Sequence, residues 1–175
     1  MRWIWIDRFV EFDSRKRATA IKNVTLAEDQ LHDHFPGFPT MPASLIIEGL
    51  AQTGGILVGE ANHFAQKVIL GKISRAKFHD VARPGDQLIY RVELADLRPE
   101  GAMVEGQAFV GDQLLAEVEL FFVHLDQARG PQVADRKNFV FTEDMKAMLR
   151  QLDAERKSPR EPLLDSPASG VEPGG

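Results

Sequence analysis

A single carboxylate interrupts a long apolar stretch of the sequence and is a candidate for acid–base chemistry. Glu48 is the only charged residue between Pro42 and Glu60, and burial among apolar side chains favours the protonated form of a carboxyl group. Ser44 and Gln52 lie four residues to either side, so at helical spacing the three side chains form one polar stripe. Such an acid can donate a proton near neutral pH. A structural carboxylate that pairs with an arginine or caps a loop gives the same pattern.

A histidine before a proline-rich segment is the matching candidate for a base. His34 opens the segment His34–Pro42, in which proline recurs at every third position, and each proline stiffens its own backbone and that of the preceding residue. Imidazole is the side chain best suited to accept a proton at neutral pH. A histidine beside aromatic residues more often serves packing, but held near Glu48 it completes an acid–base pair. Free amides near Ala43 and Ser44, at the start of the next helix, could stabilise a developing oxyanion.

Two other chemistries have weaker support in the sequence. The triplet His32-Asp33-His34 has metal-ligand residue types, but three residues in one loop without a further cluster are a weak metal signal. Ser44 lacks the Gly-x-Ser-x-Gly setting of a serine hydrolase. We therefore predict no metal and no cofactor, and treat His63, His79 and His124 as structural or exposed.

The elements that must position these residues suggest an α+β domain. Thr40 as cap and Pro42 in the first turn predict a buried helix to about His63. Two strands joined by a turn at Asp13–Lys16 precede it. Four β-like runs follow, separated by turn-forming residues, and their short connections suggest a meander of antiparallel neighbours around the helix: Val68–His79, Gln87–Leu97, Ala102–Val110 and Leu114–Leu125.

The C-terminal part has a different character. We divide the chain into a domain over 1–127, a linker and amphipathic helix over 128–157, and a disordered tail over 158–175, which is rich in Pro, Gly, Ser and acids. The linker contains the short apolar segment Phe139–Phe141, and Thr142 is expected to cap a helix over Glu143–Lys157. One face of that helix should pack on the domain or on a neighbouring subunit, since it carries Met145, Met148, Leu149 and Leu152.

Composition narrows the class of protein. The 175 residues with 43% hydrophobic content suffice for one sizeable core. The chain has no cysteine, which makes a reducing cytoplasm the default expectation, and its amino terminus has an acid too early for a signal peptide or membrane span. A net charge of -5 argues against general affinity for nucleic acid or anionic membranes.

A combined motif resembles the signature of a known enzyme family. The sequence is similar to bacterial 3-hydroxyacyl-acyl carrier protein dehydratases of the FabZ type over roughly Ile4 to Leu125. The residues that carry the resemblance are His34-Phe35-Pro36-Gly37-x-Pro39-x-x-Pro42, then Leu45, Glu48-x-x-Ala51-Gln52, and later Arg83-Pro84-Gly85-Asp86-Gln87-Leu88.

The resemblance implies a hot-dog fold and an assembly. Its homodimer, alone or in a trimer of dimers, would join two sheets and complete each active site with His34 of one subunit and Glu48 of the other. His34 would take the C2 proton, Glu48 would assist loss of the hydroxyl, and Gln52 would position Glu48 or a water. Phe35, Ala43 and Ser44 complete the expected substrate-binding set. A glutamate at position 48 favours the FabZ type over the related dehydratase-isomerase, which carries aspartate there.

The partner implied by the resemblance is an acyl carrier protein, which is acidic. A basic docking patch for it is predicted from Lys72, Arg75, Lys77 and Arg83, although an ordinary solvated face would have the same residues. Two positions depart from the family pattern, since Ala43 and Asp33 stand where glycine is usual. Ala43 leaves open a non-catalytic acyl-thioester-binding homologue. A third alternative is an acyl thioesterase on the same fold, although its usual lone carboxylate does not require the histidine-proline loop.

Overall fold

A computed structural model describes residues 3–125 and 143–157. One antiparallel sheet of six strands packs around a long helix, α1, of residues Ala43–Ala61. The sheet contains β1 (Arg8–Asp13), β2 (Arg17–Asn23), β3 (Lys67–Phe78), β4 (Gln87–Arg98), β5 (Gly101–Val110) and β6 (Gln113–Leu125), and a short 3-10 helix covers Asp29–Leu31. The predicted α+β hot-dog architecture is confirmed.

The order of strands in the sheet differs from the predicted meander. It is β1-β2-β4-β5-β6-β3, so β4, β5 and β6 form a meander, whereas β3 pairs with β6 at the far edge. The connection over 79–86 is therefore not a tight turn between neighbours, and placing β3 beside β4 was wrong. Residues 79–86 are enough for the chain to cross the end of the sheet.

Helix α1 is enclosed along its second half. Its residues from Gly49 to Gly59 are buried, whereas Ala43 and Ser44 are exposed and Glu48 is half-buried. The β1–β2 turn packs against its carboxyl end, where the Ser14 hydroxyl donates to the Glu60 carboxylate at 2.6 Å. The single-chain sheet therefore covers the end of α1 and leaves its beginning open.

The amino-terminal end of α1 differs from the prediction that Thr40 caps the helix. The helix begins at Ala43, Pro42 is its N-cap residue, and no side chain caps it. Thr40 lies before the helix, where its amide donates to the carbonyl of His34 at 2.8 Å. Thr40 therefore belongs to the proline loop, and its assignment as the helix cap was wrong.

A second helix, α2 (Glu143–Lys157), packs across β1. Met145 and Leu152 are buried, and at its far end the Arg8 guanidinium lies 3.4 Å from the Glu155 carboxylate. The predicted amphipathic helix is confirmed, and it packs on its own domain. The predicted Phe139–Phe141 segment, the Thr142 cap and the disordered tail lie outside the described residues, and the division into three regions stays a prediction. None of the described helices is long and apolar enough to cross a membrane.

Candidate active site

The loop before α1 holds the imidazole of His34 in one orientation. The Nδ1–H group donates to the carbonyl of Thr40 at 2.9 Å, and the Thr40 hydroxyl oxygen lies 3.3 Å from the same nitrogen. Because a carbonyl oxygen can only accept, Nδ1 carries the proton, so in the neutral ring the lone pair is on Nε2. The ring of Phe35 stacks on the imidazole, with centroids 4.1 Å apart. His34 is therefore oriented to act as a base through Nε2.

A salt bridge anchors the chain that leads to this loop. The Lys22 ammonium is buried, at 7% exposure, and lies 2.6 Å from the Glu28 carboxylate. It also donates to the Asn23 carbonyl at 2.7 Å. Glu28 in turn accepts from the Thr25 amide at 3.1 Å. This buried cation fixes the start of the segment that ends at His34, an anchoring role that the sequence analysis missed.

Among the residues that the structure describes, the carboxylate of Glu48 has one side-chain partner, Gln52 one turn later on α1. The Gln52 amide nitrogen donates to Oε1 of Glu48 at 2.9 Å, while Gln52 itself is buried. Ser44, one turn earlier, is exposed. The predicted polar stripe therefore runs from solvent at Ser44 into the core at Gln52, with Glu48 at the boundary between them.

The start of α1 provides the predicted amides. Pro42 accepts hydrogen bonds from Leu45 and Ile46, at 2.9 and 3.2 Å. The amides of Ala43 and Ser44 have no hydrogen-bond acceptor among the described residues. Two exposed N–H groups at a helix start can bind an oxyanion. Ala43 and Ser44 are both exposed residues in the single chain.

No hydrogen bond or ion pair joins His34 to Glu48 in the described part of a single chain. Each side chain is held by its own partner, Thr40 for His34 and Gln52 for Glu48. In residues 3–125 and 143–157, no group of three or more His, Asp or Glu side chains is arranged to bind a metal ion. One chain thus carries two candidate half-sites, His34 with Thr40 and Glu48 with Gln52.

The predicted docking patch is not one cluster. The register with β6 places Arg75 and Lys77 opposite Glu119 and Glu117, and the Arg75 guanidinium lies 2.9 Å from the Glu119 carboxylate. The Arg83 guanidinium lies 4.5 Å above the ring of Phe38, in the His34 loop. Of the four predicted cations, Arg83 therefore flanks the candidate site. The charge of Arg75 is instead balanced by Glu119 on the neighbouring strand β6.

An ion pair on the exposed sheet surface gives a testable pKa. His79 lies 3.0 Å from the Glu117 carboxylate, and this hydrogen bond, with the charges of His79, Lys77 and Arg75, lowers the pKa of Glu117. The favourable contribution of ionised Glu117 is present above the pKa of an unfolded glutamate and is lost as the pH falls through the lowered value. We expect His79→Ala to raise the pKa of Glu117, measured by carboxyl-carbon NMR titration. A titration curve identical to that of wild type, or an equal change in the control His63→Ala, would contradict the assignment.

Comparison with known proteins identifies the class. Residues 3–119 match the FabA-like domain, and the chain belongs to this family. The curated relatives include 3-hydroxyacyl-[acyl-carrier-protein] dehydratase FabZ of Caldanaerobacter subterraneus, 40% identical over 126 residues, which are 71% of this chain and 89% of that protein. FabZ of Campylobacter fetus is 39% identical over 132 residues, again 71% of this chain and 89% of the relative. Helix α2 lies outside residues 3–119, which match the family.

Solved structures share the fold at low sequence identity. The dehydratase heterocomplex ApeI:P of Xenorhabdus doucetiae has a TM-score of 0.54 at 17% identity and covers 66% of this chain and 96% of its own. The Streptococcus mutans protein smu.793, bound to acetyl CoA, has a TM-score of 0.55 at 16% identity and covers 67% of this chain and 87% of its own. These similarities establish the fold.

Proposed function

We propose that the protein removes water from a (3R)-3-hydroxyacyl thioester on acyl carrier protein and gives the trans-2-enoyl thioester, in fatty-acid or related lipid biosynthesis. The observation that carries this proposal is the pair of half-sites. His34 has a free Nε2, Glu48 has an amide donor, and both lie within a region about 40% identical to FabZ dehydratases. A reducing cytoplasm suits the protein, because a chain without cysteine has no disulfides to form.

The proposed reaction uses each group once. The Nε2 atom of His34 takes the proton from C2, which the thioester carbonyl acidifies, and the amides of Ala43 and Ser44 stabilise the carbonyl oxygen as it gains charge. The C3–oxygen bond then breaks, and protonated Glu48 gives its proton to the departing hydroxyl, which leaves as water. The electron pair of the C2–H bond becomes the new double bond. His34 is left protonated and Glu48 ionised, so one proton must pass from base to acid, for example through water, before the next turnover.

A homodimer would bring the half-sites together. Strand β3 ends the sheet and its outer edge has no strand beside it among the described residues. Apolar side chains on this strand and just after it are exposed, with Ile73 at 43% and Val81 at 42%. A long edge strand with exposed apolar groups is suited to pairing with a second copy. We propose that two chains form a dimer through β3, and that this dimer exists alone or as part of a trimer of dimers. In the dimer, His34 of each chain approaches Glu48 of the other.

The acyl carrier protein is the proposed source of the thioester. Its acidic surface would meet Arg83, which lies beside the His34 loop, more readily than Arg75, which already has an acidic partner. Lys72 and Lys77 lie on β3, to either side of Arg75 in the sequence. Docking at Arg83 would bring a carrier-bound chain to the entrance of the proposed site.

Direct assay separates this function from its alternatives. We expect the wild-type protein to interconvert 3-hydroxyacyl- and enoyl-acyl carrier protein thioesters, followed by absorbance of the conjugated enoyl thioester and by mass spectrometry of the carrier. Release of free thiol without loss of water would instead indicate a thioesterase. Thioester binding without either reaction would indicate a non-catalytic acyl-binding protein. Testing several acyl chain lengths guards against a mismatched substrate, and absence of enoyl product at every length would contradict the dehydratase proposal.

A further inference from the structure

The side-chain amide of Gln52 has three partners, and two of them belong to the start of the chain. Its nitrogen donates to Oε1 of Glu48 at 2.9 Å and to the backbone carbonyl of Trp3 at 3.0 Å. Its oxygen accepts from the backbone amide of Trp5 at 2.8 Å. With both ends of the amide engaged, the group that contacts Glu48 is also the group that holds residues 3–5.

The backbone of this segment can form two hydrogen bonds to one side-chain amide. In an extended chain, the carbonyl of one residue and the N–H two residues later point to the same side. The Trp3 carbonyl and the Trp5 N–H flank Ile4 in this way, and Gln52 bridges them as the N–H and C=O of one residue on a neighbouring parallel strand would. The segment lies outside the sheet, so here a side chain takes the place of a strand partner.

The segment is itself firmly anchored. Trp5 and Ile6 are buried, at 9% and 2% exposure, and the amide of Asp7 donates to the Ile21 carbonyl at 2.7 Å. The ring of Trp3 packs edge-on against Trp5, with centroids 5.4 Å apart. Because the segment is fixed to the sheet, it gives the Gln52 amide a fixed orientation.

We infer that the Trp3–Trp5 segment is a positioning element for Glu48 that acts through Gln52. The inference rests on the proposed function, in which Glu48 must present its proton to the departing hydroxyl. Without the Trp5 N–H, the Gln52 oxygen loses its partner, and of the two backbone contacts that orient the amide only the Trp3 carbonyl remains. The segment's contact with the proposed acid runs only through Gln52 in the described structure, so it is a positioning element and not a catalytic one.

Three variants separate this hydrogen bond from the rest of the segment. Trp5→Pro removes the backbone N–H that donates a hydrogen bond to the Gln52 oxygen. Trp5→Leu removes the same indole but keeps the N–H. Ile4→Pro introduces a proline one residue earlier, where the amide has no hydrogen-bond partner among the described residues. The comparison of Trp5→Pro with Trp5→Leu therefore isolates the backbone hydrogen bond.

The expected result is a change in kcat rather than in KM. Misplacing an acid by a fraction of an ångström slows the chemical step, and we expect kcat for Trp5→Pro to fall about tenfold below that of Trp5→Leu, with KM within about twofold. Ile4→Pro, which keeps the Trp5 N–H, should retain a higher kcat than Trp5→Pro. Equal kcat values for the two Trp5 variants, both folded by circular dichroism, would overturn the inference.

A second measurement needs neither activity nor a proline. Coupling between two sites is reciprocal, so if the segment positions Glu48, removal of the Glu48 acceptor must loosen the segment. In the full-length protein, we expect the Trp5 amide to exchange with solvent about threefold faster or more in Glu48→Leu than in Glu48→Gln, whose side-chain oxygen still accepts. Equal exchange rates would overturn the inference even if Trp5→Pro fails to fold. Failure of the dehydratase proposal is distinct, since there wild type forms no enoyl product.

Discussion

A dimer built from one His34→Ala subunit and one Glu48→Gln subunit is expected to dehydrate thioester, although neither variant does so alone. Each single variant should lose a factor of about 10²–10⁴ in kcat, because it removes a general base or a general acid. The expectation for the mixed dimer rests on the proposed pairing of two chains, in which the half-site held by Thr40 in one chain approaches the half-site held by Gln52 in the other. If each site takes its histidine and its glutamate from different chains, the mixed dimer has one complete site and one with neither group.

The measurement uses two affinity tags and co-expression. Mixed dimers isolated through both tags should have about half the activity of a wild-type dimer, because one of two equivalent sites is complete. The doubly tagged dimer in which one subunit carries both substitutions is the matched control. Its two sites each lack one group, so it should be as inactive as either single variant. If the sites instead lie within single chains, the pattern reverses: the mixed dimer is inactive and the control has about half the wild-type activity.

Local sequence chemistry predicts the strands well but not all of their neighbours. Turn residues placed the ends of β4, β5 and β6 within one residue, since Gly101 and Gly111 lie where the chain reverses. The same reasoning paired β3 with β4, because turn chemistry at Pro84 and Gly85 does not reveal whether the chain folds back or crosses the sheet. Pairing of β3 with β6 depends on contacts between residues far apart in sequence, such as Val68 and His124.

The candidate site shows the same division. Spacing was enough to predict the contact between Gln52 and Glu48, because the two residues are one helical turn apart, whereas the roles of His34 and Glu48 stay predictions. The partner of the His34 ring was missed, since Thr40 precedes a proline and a helix and has the sequence signature of a cap. The link from Gln52 to Trp5 spans 47 positions, and no local pattern indicates it.

Gly49→Ala is expected to destabilise the protein more than Gly54→Ala on the same helix. A Cβ atom at this position would lie 2.5 Å from two ring carbons of Tyr90 and 2.7 Å from its hydroxyl oxygen. Tyr90 is fully buried in the middle of β4, so its ring has no open space to enter. Overpacking of this kind costs about 1–3 kcal/mol or more. For a domain of this size we expect the melting temperature to fall by roughly 4–10 °C. Gly54→Ala, where the nearest atom is a Val104 methyl carbon at 3.1 Å, is the control with a smaller expected loss.

Substitutions at Tyr90 can identify the steric cause. Its buried hydroxyl has no hydrogen-bond partner among the described residues, and burial, with the charges of Asp7 and Glu28, raises the pKa of Tyr90. Tyr90→Phe should therefore cost little by itself. It should not rescue Gly49→Ala, because the two clashing ring carbons remain. Tyr90→Leu removes the ring, so the variant that combines it with Gly49→Ala should be more stable than Gly49→Ala alone. If Tyr90→Phe also restored stability, the hydroxyl group and not the ring carbons would be the cause of the clash. Because Gly49 adjoins Glu48, the same contact sets how closely the proposed acid approaches the sheet, and we expect dehydratase activity to recover together with stability.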